Sequence, residues 1–418
     1  MRRQFPLLVA VIALACAGGQ TAGGGTGATP AERQKVTNLV PFDLANCFPS
    51  KLDVGKTANE YTLQAAFRGA RPQIGECLAD SRLQNPSAPT KGKVSITLDA
   101  TGSNVTVTGE GLQPAATSCI EKAVRAQLEG VSAPAGGKPL SFDGPFERDP
   151  RDTVRFGVNE SSDVIGAIRL GFPQWCSCFD GMKTAVAPEL VGSIDVLRAD
   201  IAPFADRFKE PDGGVRSTKP VIAALTSPES SATQAVACLN DRINSMSFKI
   251  TTERLTVPAQ FLLVNSLGAD AYSPNAPPAL QFAQLDAVRE RRESEAFAAL
   301  ARRQQVANAY DAQVQVYQTA ANSKDAKKRK TAGAMVKDLK AGCQALVKAD
   351  DDYTRALESE MGIEQQAVTL AQGLKAKDPQ WAEAEKASAG AVADTQKQID
   401  AAKQLRAANE KACPKEKF

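Results

Sequence analysis

Pro72-Gln73-Ile74-Gly75-Glu76-Cys77, then Gly92-Lys93-Val94-Ser95-Ile96-Thr97-Leu98, then Cys119 and Leu140-Ser141-Phe142 follow one another within Arg71 to Phe146, and their order decides the fold. It returns about a hundred residues later as Pro173-Gln174-Trp175-Cys176-Ser177-Cys178, Gly192-Ser193-Ile194-Asp195-Val196-Leu197, Cys238 and Val257 to Val264. The chain therefore reads as carrying a duplicated module. Val94, Ile96 and Leu98 alternate with Ser95 and Thr97, the period-two pattern of a half-buried strand. Ala100-Thr101-Gly102-Ser103-Asn104 supplies turn chemistry, and Val105 to Gly109 the returning strand. Upstream, Leu63, Ala66, Phe67, Ile74, Cys77 and Leu78 recur at helical spacing, interrupted by Pro72, which predicts a helix in two pieces. Ala115 to Leu128 is a second helix and Leu140 to Phe142 a third strand. The predicted order is helix, hairpin, helix, strand.

In the second half, Ile201 to Ser230 reads as a polar, proline-bearing insertion where a second strand should stand. Glu147 to Asp163 and Gly268 to Pro278 read as linkers. That gives module one over 61–146 and a degenerate module two over 164–267. The pattern Pro-x-x-x-x-Cys, Gly-Lys-Val-x-Ile-x-Leu-x-x-x-Gly and a cysteine on the next helix resembles the TonB C-terminal-like domains of bacterial envelope and gliding-motility proteins, in their two-cysteine variant. Leu78 and Phe179 stand where that variant usually has tyrosine. The resemblance implies a small α+β sandwich for binding or load transfer in the periplasm, with no catalytic residues to carry over.

Composition narrows the function. The 418 residues are 43% hydrophobic and 23% charged, ordinary for folded protein, and the net charge of +3 is too balanced for a nucleic-acid binder. Histidine is absent altogether, which removes histidine triads and HExxH metal sites. Arg2 and Arg3 followed by the apolar Phe5 to Leu14 read as an export signal over 1–16, and Ala13-Leu14-Ala15-Cys16 resembles a bacterial lipobox with Cys16 as the acylated residue. A plain Ala-x-Ala cleavage site is the competing reading. Ala17 after the cysteine favours the outer membrane, facing the periplasm or the surface. The glycine- and threonine-rich stretch that follows reads as a tether, so 17–60 is a flexible segment whose later part, with Val40-Pro41-Phe42 and Cys47, lies on a neighbour.

Apart from Cys16, eight cysteines remain, an even number in an exported chain. Spacing alone does not fix connectivity. The repeat pairs Cys77 with Cys119 and Cys178 with Cys238, and leaves Cys47 and Cys176 as a candidate third pair. Beyond Pro278 the composition turns to Ala, Gln, Lys, Glu and Asp, predicting three antiparallel, coiled-coil-like helices over 279–413 with breaks at Asn322-Ser323 and Lys377-Asp378-Pro379. Val336, Leu339, Cys343, Leu346, Asp350, Tyr353 and Leu357 form a heptad seam, and Val392, Ile399 and Cys413 share a seven-residue register. Cys343 lies 34 residues before Lys377 and Cys413 lies 35 after Asp378, so a hairpin brings them together.

Several motifs invite chemistry. Ser50 to Thr57 ends like a phosphate-binding loop but lacks its opening glycine. Trp175-Cys176-Ser177-Cys178 lacks the x-x spacing of a redox pair and reads as two half-cystines. Asp350-Asp351-Asp352 lacks the alternating ligands of a calcium loop, and Lys327-Lys328-Arg329-Lys330 beside the helix turn has two readings, a contact for anionic lipid or the cell wall and a solvated helix start, of which the second is favoured. Asp149 and Asp152 sit in a linker that nothing holds in register. No catalytic set, metal site or cofactor motif is expected, and no nucleic acid partner. The expectation is a non-catalytic, lipid-anchored envelope scaffold or adaptor that meets envelope proteins through its C-terminal helices; the alternative is a periplasmic lipoprotein binding peptidoglycan or a small molecule.

Overall fold

A computed structural model describes residues 41–85, 87–134, 138–147, 159–182, 189–198, 220–268, 272 and 276–413. Cys16, the export signal, most of the tether, and Asp149 and Asp152 lie outside the described residues. The chain is mixed α and β, with two small sheets and a helical C-terminal region.

It enters through β1 (Phe42–Asp43) and a short 3-10 turn, Leu44–Asn46, with Phe42 and Leu44 fully buried. Helix α1 (Glu60–Gly69) opens on a capping box, in which the Asn59 side chain accepts from Thr62 N while Thr62 Oγ1 accepts from Asn59 N. Ala70 separates it from α2 (Arg71–Gln84), whose Pro72 sits in the first turn, where a missing N–H costs nothing. Strands β2 (Lys91–Asp99) and β3 (Gly102–Thr108) make the hairpin, α3 (Pro114–Leu128) follows, and β4 (Leu140–Glu147) returns along β2. The sheet order is β3-β2-β4, all antiparallel. Val94, Ile96 and Leu98 point from β2 onto Leu63, Phe67, Leu78, Ile120 and Val124, each burial contributing about 1.5–3 kcal/mol.

The second sheet follows α4 (Glu160–Gly171), whose N-cap Asn159 accepts from Ser162 N at 2.8 Å. The helix thus begins inside the stretch read as linker, because a capping asparagine outweighs the charged composition around it. Irregular 3-10 turns run over Phe172–Met182, then β5 (Glu189–Leu197), β6 (Val221–Thr226), α5 (Thr233–Asn244) and β7 (Arg254–Val264). The order is β6-β5-β7, antiparallel, with β1 added in parallel along Leu263 and Val264. Two expectations are corrected here. The second strand exists: it lies within the segment read as an insertion, and Asn240 and Asn244 of α5 satisfy its outer edge through Leu225 and Ala223. Phe42 and Asp43 are also part of this sheet instead of merely lying on it. Pro258 of β7 faces the stretch of edge that β1 leaves unpaired, where no ladder donor is needed. A side chain at Gly192 of β5 would stand 2.1 Å from the Ala224 carbonyl oxygen, so only glycine lets β6 approach.

Three long helices complete the chain: α6 (Pro278–Ala321), α7 (Ala326–Lys375) and α8 (Ala382–Ala412), each antiparallel to the one before. Phe282 stacks on Trp381 with ring centroids 5.2 Å apart, over a core of Leu285, Val288, Ile363, Leu370 and Ala384. Along the seam Leu339, Cys343, Leu346, Asp350 and Leu357 are buried, and Val336 and Tyr353 half-buried. No helix among the described residues is long and apolar enough to cross a membrane.

Candidate functional site

The most unusual chemistry lies where the two sheets, the entering strand and α6 meet. Arg169, in the last turn of α4, is 1% exposed. Its guanidinium donates to both carboxylate oxygens of Glu76 on α2, at 2.7 and 2.8 Å, and to the Pro41 carbonyl at 3.3 Å. It also lies 5.0 Å from the centre of the Phe42 ring. The planar fork matches a carboxylate bidentately, so this contact fixes the orientation of α2 against α4 as well as neutralising the charge. One turn along α2, Asp80 keeps its Oδ1 buried without a hydrogen-bond partner. Burial, and then the negative Glu76, push its carboxyl up to about 6, against the pull of Arg169. Asp43 on β1 accepts from Ala45 N and Ser266 N, yet burial still raises it.

Helix α6 is stitched to the segment after β7, to α1 and α2, and to the loop before α1. Gln284 and the backbone of Asn265, just after β7, exchange two hydrogen bonds at 2.8 and 2.9 Å, and Asn265 Nδ2 donates to the Met182 carbonyl. About two and a half turns further along α6, the buried Glu293 takes Arg68 at 2.5 Å and Arg71 at 3.2 Å, while Arg68 lies 4.3 Å over the Phe297 ring. Asn59 Nδ2 donates to the Ala301 carbonyl and Gln305 Nε2 to the Val54 carbonyl. Burial raises Glu290, with Arg71 opposing the shift. The cleft at this junction, bounded by Ser50, Gln73, Ser266 and Ser294 among others, holds about 10 Å³, room for one water. Ser50 Oγ and Gln73 Oε1 line it without protein partners.

A carboxyl raised to about 6 is what a general acid needs, but Asp80 is packed between helices and lines neither this cleft nor the open groove on α7 and α8. The group can take up a proton; no substrate reaches it by those routes. Among the described residues no three Cys, Asp or Glu side chains form a metal cluster.

The cysteines form four disulfides. Cys77–Cys119 ties α2 to α3, Cys178–Cys238 ties the 3-10 turns to α5, Cys47–Cys176 fastens the entering segment to those turns, and Cys343–Cys413 fastens the end of α8 to α7. The Gly-Lys-Thr stretch is no phosphate loop: Asp53 accepts from Gly55 N, Thr57 bridges to Ser132, and the segment lies under α6. The aspartate run is spent on cations and an amide. Asp350 takes Arg303 and Asn409, Asp351 takes Arg406, and Asp352 takes Arg355. Arg169, Glu76, Asp80 and Glu293 were not singled out by sequence reasoning; the available signal was a lone arginine inside the apolar run Val164 to Leu170, which must find a buried acid.

Comparisons with family models, with curated proteins and with solved structures find no match for this chain.

Proposed function

We propose that the chain is a non-catalytic scaffold or adaptor of a bacterial cell envelope, held to the outer membrane by an acyl group on Cys16. On this reading the two sheets are copies of one TonB C-terminal-like module, and the C-terminal helices pack in coiled-coil fashion as a docking arm for envelope proteins. Support for the copies is that helix, hairpin, helix and strand follow in the same order in both halves, with Pro72 and Pro173 each five residues before the cysteine that bridges to the next helix. The observation that carries the scaffold reading is α6 itself. It is bonded to the segment after β7, to α1 and to the loop at Val54 as far as Gln305 and then leaves them, so that base and rod are one piece. A spacer needs that continuity; a catalyst or a ligand carrier needs an enclosed, largely apolar cavity, whereas the junction cleft has space for a single water and the larger groove on α7 and α8, about 540 Å³, is an open surface lined by charged side chains such as Asp351, Glu358, Lys403 and Arg406.

The test uses the whole chain. Detergent-phase partitioning should be lost on Cys16→Ser, and a photo-crosslinker at the exposed Leu405 of α8 should capture an envelope protein, while one at the exposed Asp143 of β4 should not. A small molecule retained by the purified chain, together with no capture at Leu405, would replace this reading by that of a ligand-binding lipoprotein.

A further inference from the structure

The distal end of the helical arm carries a charge that the rest of the molecule does not answer. Cys343–Cys413 marks where α8 stops along α7, and the hairpin of α6 and α7 runs on for about 25 Å at roughly 1.5 Å per residue. From Asn308 to Thr331 no side chain is buried. Residues 312–333 hold five cations, Lys324, Lys327, Lys328, Arg329 and Lys330, and one acid, Asp325. Asp325 is occupied as the N-cap of α7, accepting from Lys327 N at 2.8 Å. Arg329 is spent on the turn, donating to the carbonyls of Ser323 and Lys324. The four lysines are exposed and make no ion pair with any of the described residues. The whole chain has a net charge of +3, and the exposed stretch from Asn308 to Thr331, with these five cations against Asp311 and Asp325, carries as much on its own.

The placement is locally unfavourable. Three lysines and an arginine occupy the first turn and a half of α7, at the end where the helix dipole is already positive and acids are preferred. Solubility alone would be served as well by mixed charge. Nearby on α6, Val316 is 54% exposed, one of the two large apolar side chains left out in this way among the described residues. The surface is convex, and its cations leave the helix at steps of about 100° in several directions. Such a surface has no groove for a peptide. Free lysine ammoniums act as hydrated point charges without the planar fork that selects a single carboxylate, which suits a spread anionic field better than a defined acidic epitope. Cations with an exposed apolar side chain beside them fit the headgroup region of a membrane.

We infer that the tip of the α6–α7 hairpin docks on an anionic phospholipid surface, through Lys324, Lys327, Lys328 and Lys330 with Val316 entering the headgroup layer. This contact is separate from the acyl group at Cys16 and does not depend on it.

The experiment is vesicle co-sedimentation of the full chain carrying Cys16→Ser, so that acylation contributes nothing. The apolar stretch Phe5 to Leu14 is common to all proteins compared. Vesicles containing phosphatidylglycerol should bind it, those of phosphatidylcholine alone should not, and binding should weaken as salt rises. Each surface cation accounts for roughly fivefold in affinity, so joint Lys324→Gln, Lys327→Gln, Lys328→Gln and Lys330→Gln should weaken binding by more than about a hundredfold. Val316→Ser should weaken it by a few fold. Because removing cations from a helix N-terminus does not destabilise it, the quadruple variant should unfold at the parent's temperature or above, which separates lost binding from lost fold. Equal binding of parent and quadruple variant, equal binding to both vesicle types, or no binding to phosphatidylglycerol overturns the inference. So does a chain that binds polyglutamate but not the vesicles, since its partner is then an acidic protein.

Discussion

Helix α6 passes through two regimes. Between Pro278 and Gln305 its buried side chains include Leu280, Phe282, Leu285, Val288, Glu293 and Ala301; Arg68 of α1 and Arg71 of α2 meet Glu293, Asn265 just after β7 meets Gln284, and Asn59 at the start of α1 bonds the Ala301 carbonyl. Between Asn308 and Ala321 nothing is buried, and the turn that follows gathers lysines with no partner among the described residues. Charge is therefore used in opposite ways along one helix. In the base it sets orientation, because a buried guanidinium without its carboxylate would cost several kcal/mol and only one packing supplies the pair. At the tip it is left for something outside the molecule. Neither half needs the other's sequence pattern, which is why a single helix can serve both.

Changes at the base should be costly and changes at the tip nearly free. The border is the Cys343–Cys413 bridge, which closes 70 residues; replacing both by serine should destabilise the arm by about 4 kcal/mol in the loop-entropy account, read by chemical denaturation under non-reducing conditions. Glu293→Gln leaves the half-buried Arg68 facing a neutral amide and Arg71 with only Glu290 at 3.6 Å, and should cost about 2 kcal/mol by the same measurement.

Asp80 gives the comparison a pH axis. Its folded carboxyl sits at about 6, above its ordinary value of 3.8, so the folded chain holds a proton that the unfolded chain has lost between those two values. Ionised Asp80 destabilises the junction above about pH 6, and the penalty is lifted progressively as pH falls from 6 towards 4. Asp80→Asn should then stabilise the chain by about 2 kcal/mol at pH 7.5, with little effect near pH 4, in paired denaturation curves. The smallest effect belongs to the tip: the quadruple lysine-to-glutamine change should shift stability by about 0.5 kcal/mol at most, in the stabilising direction.

What was legible in the sequence follows the same division. Period-two alternation placed β2, and Pro72 broke the first helix where the structure breaks it, because both signals are local. The cysteine spacing and the turn at Lys377-Asp378 brought Cys343 to Cys413, since hairpin register is set by counting. β6 was missed because its five apolar residues, Val221 to Leu225, follow a long polar stretch and are completed only by asparagines from α5. The junction was illegible for a different reason. Arg169 and Glu76 are 93 residues apart, and Arg71 and Glu293 are 222 apart, so nothing in the local pattern of either reveals its partner.

Amide hydrogen exchange along α6 in the intact, oxidised chain tests the central claim most directly. Strong protection is expected from Phe282 to Ala301, where α1, the end of β7 and α7 cover the helix, and exchange faster by orders of magnitude from Asn308 to Ala321. Uniform protection along the helix would mean that the tip is covered by the molecule itself. Rapid exchange between Gln284 and Ala301 would mean that the sheets are not fastened to α6, and would contradict the account of a single piece.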